Sequence, residues 1–232
     1  PQTRFMTSLD INSYKTSRFF DGNNLTLAYQ FIEEDRITRK FQSDEYNNTY
    51  IDVHVASLNW DFTLGKLAYG LELTNNNVLS TATEGTQTRY PSGGSNLSTA
   101  ALYGSYKKEV NDYIVWNLGT RYSQVVGEMS FNETDPVFVT DNIKFNNGAL
   151  TGNINLIYKP TRTLKFDWVA SSGFRNPNID DYGKVFVKKG NMVIPNPDLT
   201  PEYAYNGEMS ITKKWEGLQV TSNLYYTYLK DV

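Results

Sequence analysis

Few side chains in this sequence could carry out covalent or acid–base chemistry. It contains no cysteine, which excludes thiol nucleophiles, disulfides and Cys-ligated zinc. Its single histidine, His54, follows Asp52 by two residues, and a catalytic base needs a carboxylate to orient it. Both residues share one strand face, where a lone polar His is more often an inner, water-facing residue. The sequence also lacks a Gly-x-Ser-x-Gly segment. We therefore predict no enzyme, catalytic residue, metal site or cofactor.

The most informative polar side chains lie between residues 173 and 202. Pro177 cannot donate to a β-ladder, so the strand that carries Arg175 should end there. Pro201-Glu202 opens the next strand, and the two strand ends should meet where the hairpin closes. We expect Arg175 to pair at this loop base with Glu202 or Asp198, because a guanidinium can fork onto a carboxylate.

Composition excludes several classes of protein. The net charge of −3, without a basic run, argues against nucleic-acid binding. No stretch approaches the roughly 18 consecutive apolar residues of a transmembrane helix. The 17 Tyr, 12 Phe and 4 Trp suit either a soluble β protein or an outer-membrane barrel, in which lipid-facing and lumen-facing residues alternate.

Alternating hydrophobicity decides between these two classes. Trp116, Leu118, Leu156, Phe166, Trp168 and Leu224 are expected on a convex, lipid-facing side. Glu72, Arg121, Lys165, Asp167 and Glu208 are expected on a concave side that needs water. The strands run for about ten residues or more, as a tilted bilayer crossing requires. The pattern in 50–61 changes phase near Ser57, which suggests either a β-bulge or a weak strand assignment.

Connection lengths support a transmembrane barrel. Short connections near 62–66, 109–113, 159–163 and 214–217 alternate with long ones at about 79–97, 131–147 and 173–200. Transmembrane barrels have short periplasmic turns and longer extracellular loops, so each group should occupy one end of the sheet. Aromatic residues gather at the short turns, as in an interfacial girdle: Trp60, Tyr69, Tyr106, Tyr113, Trp116, Tyr158 and Trp215. The alternative is that Tyr and Trp simply favour strands.

Four motifs occur along the chain. Two segments form the first of them: residues 173–186, with Phe174-Arg175-Asn176-Pro177, and residues 193–202, with Asn196-Pro197-Asp198-Leu199-Thr200-Pro201-Glu202. They resemble the paired FR-x-P and N-P-[DN]-L-x-P-E boxes of TonB-dependent outer-membrane receptors. The other matches are Tyr69-Gly70-Leu71-Glu72 with Asn75 to Ser80, Arg89-Tyr90-Pro91 with Gly93 and Ser95, and Gly119-Thr120-Arg121-Tyr122.

The resemblance implies an all-β, antiparallel up-and-down transmembrane β-barrel in the outer membrane of a Gram-negative cell. Barrels of this family have 22 strands and an N-terminal plug. Residues 1–232 hold about ten strands and no plug, so we expect a single-domain internal part of a longer receptor. Its implied partners are outer-membrane lipid, a small nutrient ligand, and TonB acting through the missing plug region. Nucleic acid is not an expected partner.

The implied function is TonB-energised uptake of a scarce bulky nutrient, most readily an iron chelate, either a siderophore or haem. Haem receptors typically carry a His between the boxes, and 178–195 has none, which favours a siderophore. Tyr182 is a weak alternative iron ligand. The charged residues farther out along the loop are expected to be solvated: Asp180, Asp181, Lys184, Lys188 and Lys189. A barrel enzyme and a secreted β-sandwich binding module stay open as alternatives. The candidate ligand-binding or loop-base residues are Arg175, Asn176, Pro177, Asp180, Asp181, Tyr182, Asn196, Pro197, Asp198 and Glu202.

Overall fold

The structure of the chain is a computed structural model. It describes residues 1–39, 41–83, 86, 88, 90–132, 142–184, 186–188 and 191–231, with the backbone alone at 186–188 and 191–192. Its elements are β1 (Gln2–Ser13), β2 (Gly22–Arg39), β3 (Tyr46–Leu64), β4 (Leu67–Ala82), β5 (Ser95–Glu109), β6 (Ile114–Met129), β7 (Ile143–Thr161), β8 (Leu164–Arg175), α1 (Ile179–Gly183), β9 (Phe186–Lys188), β10 (Asn191–Val193), β11 (Glu202–Trp215) and β12 (Leu218–Lys230).

Ten of the strands form one antiparallel sheet in the order β1 to β8, then β11 and β12. The short strands β9 and β10 pair only with each other in the described part of the chain. Within those residues, no helix is long and apolar enough to cross a membrane. The predicted all-β, up-and-down architecture of about ten strands is confirmed.

Successive connections fall at opposite ends of the sheet, because every strand is antiparallel to its sequence neighbours. The three predicted long connections, 83–94, 130–142 and 176–201, share the end that we call the loop end with the connection 40–45. The other end, called the turn end, holds 14–21, 65–66, 110–113, 162–163 and 216–217. The predicted separation of these three long loops from the four short turns is confirmed. The long loops are shorter than predicted, because the strands continue toward the loop end.

The two faces of the sheet differ in chemistry. Arg121 Nη2 on β6 lies 3.1 Å from Glu72 Oε1 on β4, so this ion pair passes over the intervening strand β5. We call the face that carries this ion pair the concave face. The strand register places the predicted concave residues on this face and the predicted lipid-side residues on the other, convex face. The predicted facing is confirmed.

The convex face carries an aromatic belt at the turn end. Tyr69 stacks on Phe62 at 5.2 Å between ring centroids, and Trp60 lies 4.9 Å from Phe62. On β5 and β6, Tyr106 and Trp116 meet edge to face at 5.7 Å. Two of these contacts cross between neighbouring strands, whereas Trp60 and Phe62 both belong to β3. All of these residues lie near the turn end of the convex face, where the belt was predicted.

The phase change near Ser57 is real, but the predicted bulge is wrong. The β3 strand keeps one unbroken register with both β2 and β4 through this position. Between Ser57 and the turn end, apolar residues such as Trp60 point to the convex face. Between Ser57 and the loop end, Ile51 and Val53 point to the concave face. The backbone is regular and the hydrophobic face inverts. The sheet's register irregularity lies between Tyr158 and Thr161, where Pro160 interrupts the ladder.

His54 is also corrected by this register. It lies on the convex face rather than on the inner face. Its Nδ1 is 2.7 Å from the Tyr29 hydroxyl, and its ring lies 4.9 Å from that of Phe31. A histidine held between two aromatic residues on the apolar side is poorly placed to serve as a lumen base.

The main buried cluster lies on the concave face at the loop end. Its strand members are Ile51, Val78, Val125, Met129, Ile143 and Phe145, all of which point to that face. Ile179 and Tyr182, from the connection between β8 and β11, complete the cluster. The concave face is therefore polar in its middle and apolar near the loop end, where a folded segment covers it.

Candidate functional site

The connection between β8 and β11, residues 176–201, which we call the strap, begins and ends at an ion-pair network. Arg175 and Glu202 are register partners on adjacent strands, and Arg175 Nη1 lies 2.8 Å from Glu202 Oε1. Arg175 Nη2 lies 2.5 Å from Asp181 Oδ2. The predicted Arg175–Glu202 pair is confirmed. Asp181 is a second partner that the loop-base argument did not identify, because a local turn brings it back to the strand end.

That turn is the short helix α1, which a reciprocal cap begins. The Asn178 side chain accepts from the backbone N–H groups of Asp180 and Asp181, at 2.8 and 3.0 Å. The Asp181 carboxylate in turn accepts from the Asn178 N–H at 2.9 Å. These bonds satisfy backbone donors that a helix start leaves unpaired. The carboxylate that caps α1 is the one that binds Arg175, so helix and strand end are fixed together.

Tyr182 anchors the strap to the concave face. Its side chain is fully buried and stacks on Phe145 of β7, with ring centroids 4.0 Å apart. The hydroxyl donates to the Leu199 carbonyl at 2.8 Å and accepts from Asn147 Nδ2 at 3.0 Å. Burial raises the pKa of the Tyr182 phenol, which keeps the proton that the Leu199 bond requires. This phenol is therefore committed to holding the strap.

Asn147 on β7 is a site residue that sequence reasoning missed. Its Nδ2 also donates to Asn176 Oδ1, at 2.9 Å, so one amide contacts the first residue of the strap and its buried tyrosine. The outgoing limb is tied as well, because the Asn196 N–H donates to the Tyr182 carbonyl at 3.0 Å. The only signal in sequence was position, since Asn147 follows Phe145 by two residues on the same strand face.

The connection 83–94 also contacts the strap. Pro91 is fully buried, and a Cβ placed on Gly183 of α1 would lie 2.9 Å from Pro91 Cγ and 2.8 Å from Met129 Sδ. A glycine is therefore required at this close approach. The Arg89 and Lys189 of the sequence analysis lie outside the described residues, as does the Lys188 side chain. The motif that contains Pro91 and the motif at 173–186 that contains Gly183 are therefore in contact.

A crevice of about 450 Å³ opens between α1 and strands β1 to β5. Arg4, Glu34 and Arg36 line its polar side, whereas Ile51, Val53, Val78 and Leu97 form an apolar floor. Asn178 and Asp180 of the strap close one wall. Arg36 is paired with Glu34, and Asp180 with Lys184 Nζ at 3.3 Å. The crevice therefore combines an apolar floor with two guanidinium groups and two carboxylates.

The predicted site residues lie in or next to the strap, but some of them are buried and others are exposed. Pro177 and Tyr182 are buried, and Arg175, Asp181 and Glu202 hold the strap base. The exposed members Asn196, Pro197 and Asp198 lie on the outgoing limb, where Asp198 donates its N–H to Asn196 Oδ1 at 3.0 Å. The crevice residues Arg4 and Arg36 lay outside the boxes from which candidates were chosen, so they were missed.

Comparison with known families identifies the chain. The family model described as TonB dependent receptor-like, beta-barrel matches residues 2–232. The chain belongs to the TonB-dependent receptors. No curated protein sequence matches it. In an outer-membrane receptor barrel, the convex face of this sheet contacts lipid and the concave face lines the lumen.

Solved structures of other TonB-dependent receptors share this fold at low sequence identity. The copper transporter OprC matches with a TM-score of 0.78 and 10% identity, over 99% of this chain and 39% of its own. The hemophore receptor HasR of Serratia marcescens, in complex with HasA and heme, gives 0.74 and 12%, over 97% and 39%. The ferric yersiniabactin uptake receptor FyuA of Yersinia pestis gives 0.61 and 18%, over 100% and 37%. The chain thus spans less than half the length of these receptors.

Proposed function

We propose that the receptor containing this chain imports an iron chelate across the outer membrane with energy relayed by TonB, and that the chelate is a ferric siderophore. The observation that carries this proposal is the crevice beside the strap, where the guanidinium groups of Arg4 and of Arg36, the latter paired with Glu34, lie beside an apolar floor. Siderophores present carboxylate or phenolate oxygens on an organic body. Arg recognises such oxygens through forked hydrogen bonds, and apolar walls bury the rest of a ligand.

The placement of histidine favours a siderophore over haem. The sequence has one His, and His54 lies on the lipid face between Tyr29 and Phe31. An axial imidazole for haem iron would therefore have to come from outside these 232 residues. The buried Tyr182 phenol already uses its hydroxyl in two hydrogen bonds, so it is a poor substitute. Similar folds include both a heme complex and a ferric yersiniabactin uptake receptor, so the choice between haem and a siderophore depends on the local chemistry of this chain.

Binding by the purified receptor tests the chelate class. Tryptophan fluorescence of the receptor would be recorded while each ligand is added. The ligands are ferric siderophores of catecholate, hydroxamate and carboxylate type, their iron-free forms, and haem. We expect saturable binding of one ferric class and weaker binding of haem. Replacing Arg4 and Arg36 with Ala should weaken that binding, whereas Arg162→Ala, at the turn end, should not. Preferential haem binding, or equal effects of all three replacements, would contradict the proposal.

A further inference from the structure

Three layers hold the strap against the lumen wall. Gly127 on β6 and Phe145 on β7 are register partners on the concave face. A Cβ on Gly127 would overlap the Phe145 ring, so the ring lies across the bare glycine backbone. Tyr182 stacks on Phe145 with an angle of 17° between the ring planes. The depth at which the strap enters the lumen therefore depends on the absence of a side chain at Gly127.

Undocking the strap would disrupt this arrangement at several points. Tyr182 and Met129 are both fully buried, and Ile179 is 7% exposed. The Asn147 amide would lose two partners, and the Arg175 guanidinium would lose Asp181. Buried polar groups that lose their partners are costly, and exposing an apolar cluster adds to that cost. These contacts resemble a domain core rather than the few contacts typical of a mobile loop.

We propose that residues 176–184 of the strap stay docked in the ligand-free receptor as a fixed part of the lumen wall, and that Gly127 and Phe145 are their positioning residues. The ligand then meets α1 and the crevice as a preformed surface, whose width is set by the Gly127–Phe145–Tyr182 stack. This inference goes beyond the proposed function, because it concerns where the strap lies and holds for any ligand.

Thiol labelling on intact cells tests the docked state without a ligand. These 232 residues contain no cysteine, so Ile179→Cys can be introduced as a single thiol. The full receptor is used in a version without other reactive thiols. Asp44→Cys, at an exposed position between β2 and β3, serves as the reference. A buried thiol reacts only through local opening, so we expect a maleimide to label Ile179→Cys at least about tenfold more slowly. Equal rates would overturn the docked strap.

A second comparison tests the positioning residues. Gly127→Leu in the Ile179→Cys receptor should push Phe145 outward and bring the labelling rate close to that of Asp44→Cys. Gly173→Leu is the matched control, because a Cβ at Gly173, on the same concave face, meets no atom within 4 Å. Phe145→Ala removes the middle layer without a clash and should also expose the thiol. Surface amount and heat-modifiable migration should stay unchanged. If Gly127→Leu and Phe145→Ala both leave the thiol protected, the positioning role is wrong.

Discussion

Arg175 and Glu202 face each other in register where β8 ends and β11 begins, with Nη1 and Oε1 2.8 Å apart. The same guanidinium reaches Asp181, so one side chain joins the strand that leaves the sheet, the strand that returns and the cap of α1. The two sequence boxes are thus the two sides of one hydrogen-bonded base. Residues 176–184 of the strap that they hold pack against the concave face through Ile179 and Tyr182.

Replacing Arg175 with Ala should reduce uptake while leaving the barrel folded. Arg175 is about half exposed, and exposed ion pairs contribute only about 0–1 kcal/mol to stability. Its loss nevertheless frees Asp181 and Glu202 at the strap base, so the strap should lose its set angle. Uptake of labelled ferric chelate and heat-modifiable migration would be measured together. The control is Arg162→Ala at the turn end. Wild-type uptake by the Arg175 variant would show that the pair has no functional role.

The two faces predict different costs for an added charge. Leu118→Arg puts a cation on the lipid face, near the aromatic belt, and should cost about 2 kcal/mol, since the penalty falls from about 2–4 at the midplane toward the interface. Asn117→Arg puts the same charge on the concave side and should cost little. Denaturant unfolding of both variants in lipid vesicles gives the comparison. Equal losses would contradict the assignment of faces.

The hydroxyl of Tyr182 should matter separately from its ring. Tyr182→Phe keeps the stack on Phe145 but leaves the Leu199 carbonyl and the Asn147 amide short of a partner. An unsatisfied buried polar group costs about 1–3 kcal/mol. We expect faster amide hydrogen exchange in 176–199 and little change in β6 or β7. Unchanged exchange in the strap would mean that the stack alone holds it.

Alkaline pH should loosen the strap in the wild-type receptor. Burial raises the pKa of Tyr182 above its value in an unfolded segment, so the neutral phenol stabilises the docked form. That stability is fully present below the unfolded pKa of about 10 and is lost as the pH rises through the folded pKa. The Ile179→Cys thiol should become more accessible in that alkaline range. Thiols also become more reactive as pH rises, so Asp44→Cys is labelled at each pH as a reference. The quantity compared is the labelling rate of Ile179→Cys divided by that of Asp44→Cys. Tyr182→Phe should lack the transition.

Local patterns predicted the strands, their faces and the separation of loops, because alternation with a period of two residues follows directly from strand geometry. The phase change near Ser57 was visible too, but a bulge and an inverted hydrophobic face produce the same signal in one strand. The inversion becomes recognisable only when β6 and β7 are considered together, since Val125, Met129, Ile143 and Phe145 are apolar on the concave face.

The docking of the strap could not be predicted from local patterns. Ile179 and Tyr182 are three residues apart and share one face of α1, but their partner Phe145 lies on a strand more than thirty residues earlier. The role of Asn147 likewise depends on contacts distant in sequence. The Arg175–Glu202 pair was predictable, because chain connectivity brings the two strand ends together. Residues such as Arg4, Arg36 and Gly127 enter the site only through the curvature and register of the sheet.

Energised uptake of iron tests the central claim most directly. Cells that lack their other iron receptors would express the full receptor and be supplied with radioactive iron bound to the siderophore class that binds best. Uptake would be compared with and without a functional TonB, and for wild type against Arg4→Ala/Arg36→Ala. We predict saturable uptake that requires TonB and falls in the double variant. Uptake that is unchanged when TonB is removed, or no uptake of any ferric chelate by a receptor present at the surface, would contradict the account.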